Sequence, residues 1–467
     1  MESHRRGGER PAKRIIAEWS DRGQGHLFTH WQARPEAQRA RLLSDLEQLE
    51  AALLTRLQRR LAEPPQRRPE LQPLEGAALQ RARCGAEAEQ LGEQLLRSGR
   101  AAFLTVAGGQ GSRLGFEGPK GCFPVSPMRG ASLFQLLSEK ILAAVRRYER
   151  PLQWLIMTSP LNDAQTRGYF EENRFFGLDP MQVAFFPQGL FPSLSEEGKL
   201  LLAPDGGLFR NPNGHGGVIQ ALHEAGLLER LSERGVEELF YCQVDNPLVR
   251  IPDPLFLGAH RLQGSQMATK VIPKAYPEEK LGVIALADGK PAVIEYSDLD
   301  DEQMQARDSE GRLLYSHGSI AIHLLNVPFL AGIQGRLPLH VARKQIASLR
   351  PTQEGGRVAR RLAVKFEMFI FDAIPMARTP LFFETTREEE FSPLKNRTGV
   401  DSIETCRQGM IAQYARWLEQ CGVTVPNRRG RALYRVEISP LFATDAETLK
   451  LRLGGSVNRI DGDTLLA

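Results

Sequence analysis

The spacing of apolar positions divides the chain into segments. In residues 1–98, Leu42, Leu46, Leu49, Leu53, Leu57 and Leu61 recur every three or four residues between Arg, Glu and Gln. That spacing puts the leucines on one stripe of an amphipathic helix. The stripe suits a short coiled coil or packing onto the main body, and about three heptads is short for a coiled coil, which favours packing. Pro64-Pro65-Gln66-Arg67-Arg68-Pro69 breaks the helix and acts as a connector. Residues 99–388 alternate apolar runs with amphipathic stretches. Ala101–Val106, Trp154–Met157 and Leu239–Val244 read as buried strands, and Leu133, Leu137, Ile141 and Val145 as one face of a helix. Such alternation predicts an α/β fold, a mostly parallel mixed sheet sandwiched by helices, with ligands bound beyond the carboxyl ends of the strands. Leu281–Leu286 and Pro291–Tyr296 flank Asp288-Gly289, a hairpin signal that marks an antiparallel insertion. Residues 389–467 form a smaller α+β tail, with a helix near Ser402–Gln420 presenting Ile403, Met410, Ile411, Tyr414 and Trp417. The expected division is therefore 1–98, 99–388 and 389–467.

Composition narrows the class. At roughly 150 residues per domain, 467 residues suggest about three domains. With 42% hydrophobic and 25% charged residues the chain is globular rather than disordered. No apolar run approaches the length of a membrane span, so no membrane association is expected. The start, Met-Glu-Ser-His-Arg-Arg-Gly-Gly, has no apolar run after its arginines, so no secretory signal is expected. A net charge of +4 is too small for a dedicated nucleic-acid binder of this size. Of the 60 basic residues only 12 are lysines, so a lysine in a candidate loop draws attention. Cys84, Cys122, Cys242, Cys406 and Cys421 are scattered, without a Cys-x-x-Cys. They argue against zinc and a disulfide framework, and for a reducing, cytoplasmic compartment.

The first strand of the central segment runs into Ala107-Gly108-Gly109-Gln110-Gly111-Ser112-Arg113-Leu114-Gly115, followed by Gly118-Pro119-Lys120-Gly121. Glycines there let backbone N–H groups approach a ligand and form an anion cradle, to which Arg113 and Lys120 add positive charge. The combination reads as a nucleoside triphosphate site. It is neither of two familiar phosphate motifs. Leu114 stands where a dinucleotide fingerprint needs Gly or Ala, and Pro119-Lys120-Gly121 replaces the Gly-Lys-Ser/Thr of a Walker A loop. Asp245 ends a strand at the same edge, where a carboxylate suits Mg²⁺ shared with substrate phosphates, or else caps the next turn.

The Gly-Gly-Gln-Gly-Ser-Arg-Leu-Gly run with its Pro-Lys-Gly resembles the signature of the nucleotide-sugar pyrophosphorylases, uridylyltransferases that join UTP and a sugar 1-phosphate. The resemblance covers most of the chain. Gly25-His26-Leu27-Phe28 with Trp31, Phe185–Gly189, Tyr241–Asn246, Gly282-Val283, Val293–Ser297, Phe369–Asp372 and Phe391–Asn396 follow in the order of the UDP-N-acetylglucosamine pyrophosphorylase branch. It implies a Rossmann-like nucleotidyltransferase fold with an N-terminal helical region and a small C-terminal domain.

It also implies roles. Gly108, Gly109, Gln110 and Gly111 bind the nucleotide, Gln188 reads the uracil edge, and Gly214 and His215 approach the base. Arg113 takes the leaving phosphates, Lys120 the α-phosphate and Lys395 the sugar 1-phosphate. Asp245 holds Mg²⁺, and Asn246 is a turn residue or supporting partner. Gly282, Glu295, Ser319, Phe369 and Phe371 form the sugar pocket, although Glu295 also reads as an exposed strand residue and the phenylalanines as core. His215 and Ser319 depart from the acetylhexosamine pattern, which keeps UDP-glucose or UDP-galactose synthesis open beside UDP-N-acetylglucosamine. A catalytically silent nucleotide-binding scaffold would be expected to lack Arg113, Lys120, Asp245 or Lys395, and all four are present. The expected partners are UTP and a sugar 1-phosphate, and the expected state is a monomer or weak homo-oligomer.

Overall fold

A computed structural model describes residues 12–64, 67–74 and 85–467. The contacts of these residues form two compact units, the first drawn from the spans 1–68, 189–217 and 337–370 and the second from 69–188, 218–336 and 371–467. This grouping differs from the three consecutive segments read from the sequence. The N-terminal span up to residue 68 joins two later stretches, whereas helix Ala86–Arg97 and the C-terminal residues belong to the second unit. Among the described residues no helix is long and apolar enough to cross a membrane. Cys122, Cys242, Cys406 and Cys421 are free thiols, and Cys84 lies outside the described residues.

The second unit is built on a ten-stranded sheet. Its strands in chain order are β1 (Leu71–Pro73), β2 (Ala101–Val106), β3 (Trp154–Thr158), β4 (Val183–Pro187), β5 (Glu238–Gln243), β6 (Met267–Pro273), β7 (Gly282–Ala287), β8 (Lys290–Ile294), β9 (His317–Asn326) and β10 (Leu381–Glu384). β5, β2, β3 and β4 lie side by side and parallel. β2, β3 and β5 are almost entirely buried, as continuous apolar runs in a parallel sheet should be. β9 joins this block antiparallel to β5 and also pairs with β6 and β7, so the whole sheet is mixed. The expected hairpin forms between β7 and β8, with Asp288 and Gly289 both at positive φ. Helix Leu133–Tyr148, capped by Ser132, buries Phe134, Leu137 and Ile141 against Phe103, Trp154 and Phe240. In the C-terminal region helix Ile403–Gln420, capped by Ser402, buries Met410, Tyr414 and Leu418 in the same core.

In the first unit the leucine stripe belongs to two helices, Glu36–Gln48 and Ala51–Ala62, not one. Extended backbone at Leu49 and Glu50 breaks the helix while the leucine spacing runs on across it. Of the stripe, Leu42, Leu46, Leu49 and Leu57 are buried and Leu53 and Leu61 half-buried, while Leu54, outside the expected stripe, is buried as well. The helices are tied to the rest of their unit by polar bonds. The Asp45 carboxylate accepts from Leu208 N–H at 2.8 Å, and the Arg60 guanidinium donates to the Leu339 carbonyl at 2.7 Å. The His26 ring meets the Leu200 carbonyl at 2.8 Å, which fixes the Gly25–Phe28 turn. A long antiparallel pair, His340–Arg350 with Arg357–Glu367, completes the unit.

Candidate active site

Four parallel strands end on one edge of the second unit, and three of them lead into candidate residues there. β2 leads into Gly108–Gly111, β3 into Ser159, β4 into Gln188 and β5 into Asp245. The glycine loop is folded back on itself. Gly111 N–H donates to the Gly118 carbonyl at 2.9 Å, and Lys120 N–H to the Gly109 carbonyl at 3.0 Å. A Cβ on Gly111 would lie 2.7 Å from the Phe116 ring, so this turn needs glycine to close. A Cβ on Gly108 would lie 3.1 Å from Gln188 Oε1, which sets the Gln188 amide directly over the loop. Gly109 is exposed, Gln110 half-buried and Arg113 exposed at the edge of the loop.

Lys120 and Asp245 meet. The ammonium is 3.3 Å from Asp245 Oδ2, with both side chains largely shielded from solvent. The Asp245 carbonyl accepts from Leu394 N–H at 2.8 Å, which places the Phe391–Asn396 loop beside it. Lys395 in that loop pairs with Asp401 at 3.4 Å, and its ammonium lies 5.9 Å from the centre of the Phe391 ring. β9 runs antiparallel to β5, so Gly318 and Ser319, early in β9, lie toward the edge that carries Asp245. There Ser319 is paired with Gly282, and a Cβ on Gly282 would lie 3.9 Å from Glu295 Oε1. Three of the expected sugar-pocket residues therefore converge. Ser319 Oγ accepts from Ala321 N–H at 3.3 Å, where β9 bulges. Phe371 is buried, 8% exposed, within the second unit.

Gly214, His215 and Phe369 belong to the first unit. Gly214 has φ +85°, and a Cβ there would lie 2.3 Å from the Met368 carbonyl oxygen. The space freed by its missing side chain is filled by the Met368 backbone. Packing against the Met368 backbone is by itself enough to require glycine here. Gly216 N–H donates to the Met368 carbonyl at 2.8 Å, and Met368 N–H to that of Asn213. His215 stacks on Phe369 at 5.3 Å and accepts from Ile370 N–H on Nδ1 at 3.2 Å. His340 lies on the same phenylalanine, 4.5 Å away. Burial, and secondarily the neighbouring His340, push the His215 pKa down to about 4. His215 is thus a neutral imidazole at neutral pH, and Phe369 packs on two imidazole rings.

A family model described as UTP--glucose-1-phosphate uridylyltransferase matches residues 67–428, the stretch that carries the glycine loop, Asp245 and Lys395. Over 93% of its length the chain is 36% identical to a human protein named UDP-N-acetylhexosamine pyrophosphorylase-like protein 1, and the match covers 93% of that protein. The chain belongs to the UTP–glucose-1-phosphate uridylyltransferase family. Within the family it is also similar to UDP-N-acetylglucosamine diphosphorylase 2 of Arabidopsis thaliana, 33% identical over 94% of this chain and 91% of that one. The crystal structure of the uridine diphosphate N-acetylglucosamine pyrophosphorylase from Trypanosoma brucei shares its fold, with a TM-score of 0.78 at 27% identity and 98% of each chain covered.

Sequence reasoning missed two residues that shape this candidate site. Asn162, fully buried, donates to the Ala107 carbonyl at 2.9 Å and accepts from Ser159 N–H at 2.7 Å, so it holds the glycine loop to the end of β3. An Asn closing a turn just after a strand was the available signal. Lys140 donates to the Pro247 and Val249 carbonyls at 2.6 and 2.8 Å and pins the turn after Asp245, and burial pushes its pKa down to about 8. Asn246, expected as a turn residue or supporting partner, bridges that turn to the Phe391–Asn396 loop. Its amide donates to the Glu390 carbonyl at 2.6 Å and accepts from Ser392 N–H at 3.1 Å. A cavity of about 510 Å³ lies behind these turns, lined by Lys140, Arg250, Asp253, Glu390, Trp417 and Asp445. None of the sequence-identified site residues lines it.

Proposed function

We propose that this protein transfers the uridylyl group of UTP to a sugar 1-phosphate, N-acetylglucosamine 1-phosphate foremost, and releases pyrophosphate. One observation carries the reading. A backbone cradle, a lysine paired with a carboxylate and a second lysine-bearing loop bonded to that carboxylate's residue share the carboxyl edge of the sheet's parallel block. Such an edge is where open α/β sheets bind ligands.

A phosphate oxygen of the sugar 1-phosphate attacks the α-phosphorus in line. The new P–O bond forms as the bond from the α-phosphorus to the bridging oxygen breaks, and pyrophosphate leaves with that oxygen. No covalent enzyme intermediate and no general base are needed, so the protein's work is positioning and charge stabilisation. The Gly108–Gly111 amides and Arg113 face the β- and γ-phosphates. Lys120 serves the α-phosphate, where charge grows as the bond breaks. Lys395 holds the incoming sugar phosphate. Gln188, over Gly108, offers the paired donor and acceptor that the uracil edge requires.

Asp245 suits Mg²⁺ as a shared ligand. Among the described residues no cluster of three or more ligating side chains is present, and a single carboxylate completed by substrate phosphates is an ordinary Mg²⁺ environment. The bound ion would supply neutralisation of phosphate charge. N-acetylglucosamine is favoured by the names of the Arabidopsis and Trypanosoma relatives. The short Ser319 hydroxyl, occupied by Ala321 N–H, favours a plain hexose as the second reading.

Nucleotide choice tests the base assignment. Gln188→Ala should lower kcat/KM for UTP by about tenfold or more while turnover with other nucleoside triphosphates changes little. An unchanged preference for UTP in the folded variant would remove Gln188 from base reading.

A further inference from the structure

Lys270 lies in the middle of β6 and is fully buried. Its ammonium is 2.5 Å from Asp253 Oδ2 and 2.6 Å from each oxygen of Glu390. Thr385 Oγ1 donates to Glu390 Oε1 at 3.0 Å, and Arg250 N–H to Oε2 at 3.4 Å. Asp253 in turn caps helix Pro254–Leu262 through Phe256 N–H. Burial would raise the Asp253 carboxyl, but Lys270 and Arg250 outweigh it and hold the pKa down to about 2. The cluster is thus two cations and two carboxylates inside the protein.

Such clusters are poor sources of stability. Desolvation offsets much of the attraction, and well-packed apolar groups often serve as well. What a fully bonded cluster supplies is a fixed geometry. Here the geometry leads to the site. The backbone carbonyl of Glu390 accepts from Asn246 Nδ2, and Asn246 Oδ1 accepts from Ser392 N–H. Asp245, the preceding residue, accepts from Leu394 N–H. Glu390 therefore sits at the root of both the Asp245–Asn246 turn and the Phe391–Lys395 loop.

We propose that Lys270, acting through Glu390, is a positioning residue that locks the Asp245 turn to the Lys395 loop, so that the groups serving the nucleotide and the sugar phosphate keep one register. The inference rests on the proposed function for its catalytic consequence and on the bonds above for its structural one. The two are tested separately.

Glu390→Gln keeps the side-chain shape and removes the charge that Lys270 holds. Hydrogen exchange in the full-length protein reads the lock directly. The amides of Ser392 and Leu394 should exchange at least tenfold faster in the variant, and Glu390→Asp should recover part of that protection. With UTP and N-acetylglucosamine 1-phosphate, kcat should fall about tenfold while KM for UTP stays within twofold. A merely structural cluster would lower the melting temperature and leave both the local exchange and the kcat of folded enzyme unchanged, and that result would overturn the proposal. If Glu390→Gln does not fold, Thr385→Val loosens Glu390 without touching a charge and carries the same two outcomes. Absence of turnover in the wild type would sink the proposed function but would leave the exchange comparison intact.

Discussion

Lowering the pH from 7 to 5 should cost the folded protein about 2 kcal/mol through His215 alone. Burial holds this imidazole at a pKa of about 4 in the fold, against an ordinary value of 6.5. Below 6.5 the unfolded chain binds a proton there and the folded chain does not. Stability is therefore complete above pH 6.5 and is lost as pH falls toward 4. At pH 5 the unfolded imidazole is protonated about thirtyfold over neutral, and RT of about 0.59 kcal/mol converts that ratio to the stated cost. The bond from Ile370 N–H to Nδ1 has the same sense, because a proton on Nδ1 would displace it. The control is His215→Phe, which keeps a ring stacked on Phe369 and cannot titrate. It leaves Ile370 N–H without its acceptor, a penalty of about 1–3 kcal/mol that does not vary with pH. Urea unfolding of both proteins at pH 7, 6 and 5 gives the comparison. The variant's deficit should shrink by about 2 kcal/mol between pH 7 and pH 5. A deficit constant to within about 0.5 kcal/mol would refute the reasoning, since it would mean that His215 titrates alike in both states.

Other predictions are simpler. Arg113→Ala and Lys395→Ala should each lower kcat/KM by about 10² or more, the scale of one lost electrostatic stabiliser, with melting temperatures unchanged because both side chains are solvent-accessible. Near wild-type turnover in either purified variant would cancel that role. Gly214→Ala should destabilise the protein by about 3 kcal/mol in urea unfolding, combining a left-handed backbone with a Cβ pressed on the Met368 carbonyl. A loss below about 1 kcal/mol would show that the loop relaxes freely.

Much of the sheet was legible because its parallel strands are buried on both faces and read as unbroken apolar runs. The Asp288-Gly289 hairpin was legible because few dipeptides accept two successive positive φ values. The two N-terminal helices were not separable, since Leu46, Leu49 and Leu53 keep helical spacing across the break at Leu49–Glu50. The pair His340–Arg350 with Arg357–Glu367 was also hidden. Much of it is exposed and basic, so it lacks the alternation that marks a half-buried strand. The glycine loop announced itself through composition and position. The supports of the site did not. Lys270 reads as an interruption in Met-Ala-Thr-Lys-Val-Ile, and its partners Asp253 and Glu390 stand 17 and 120 residues away. Local spacing carries no trace of such pairings.

The central claim is a uridylyl transfer, and pyrophosphate release measures it most directly. Purified protein with UTP and Mg²⁺ would be offered N-acetylglucosamine, glucose and galactose 1-phosphates in turn. Pyrophosphate should appear only when a sugar 1-phosphate is present, and fastest with N-acetylglucosamine 1-phosphate. No release with any of the three, from folded protein that still binds UTP, would contradict it.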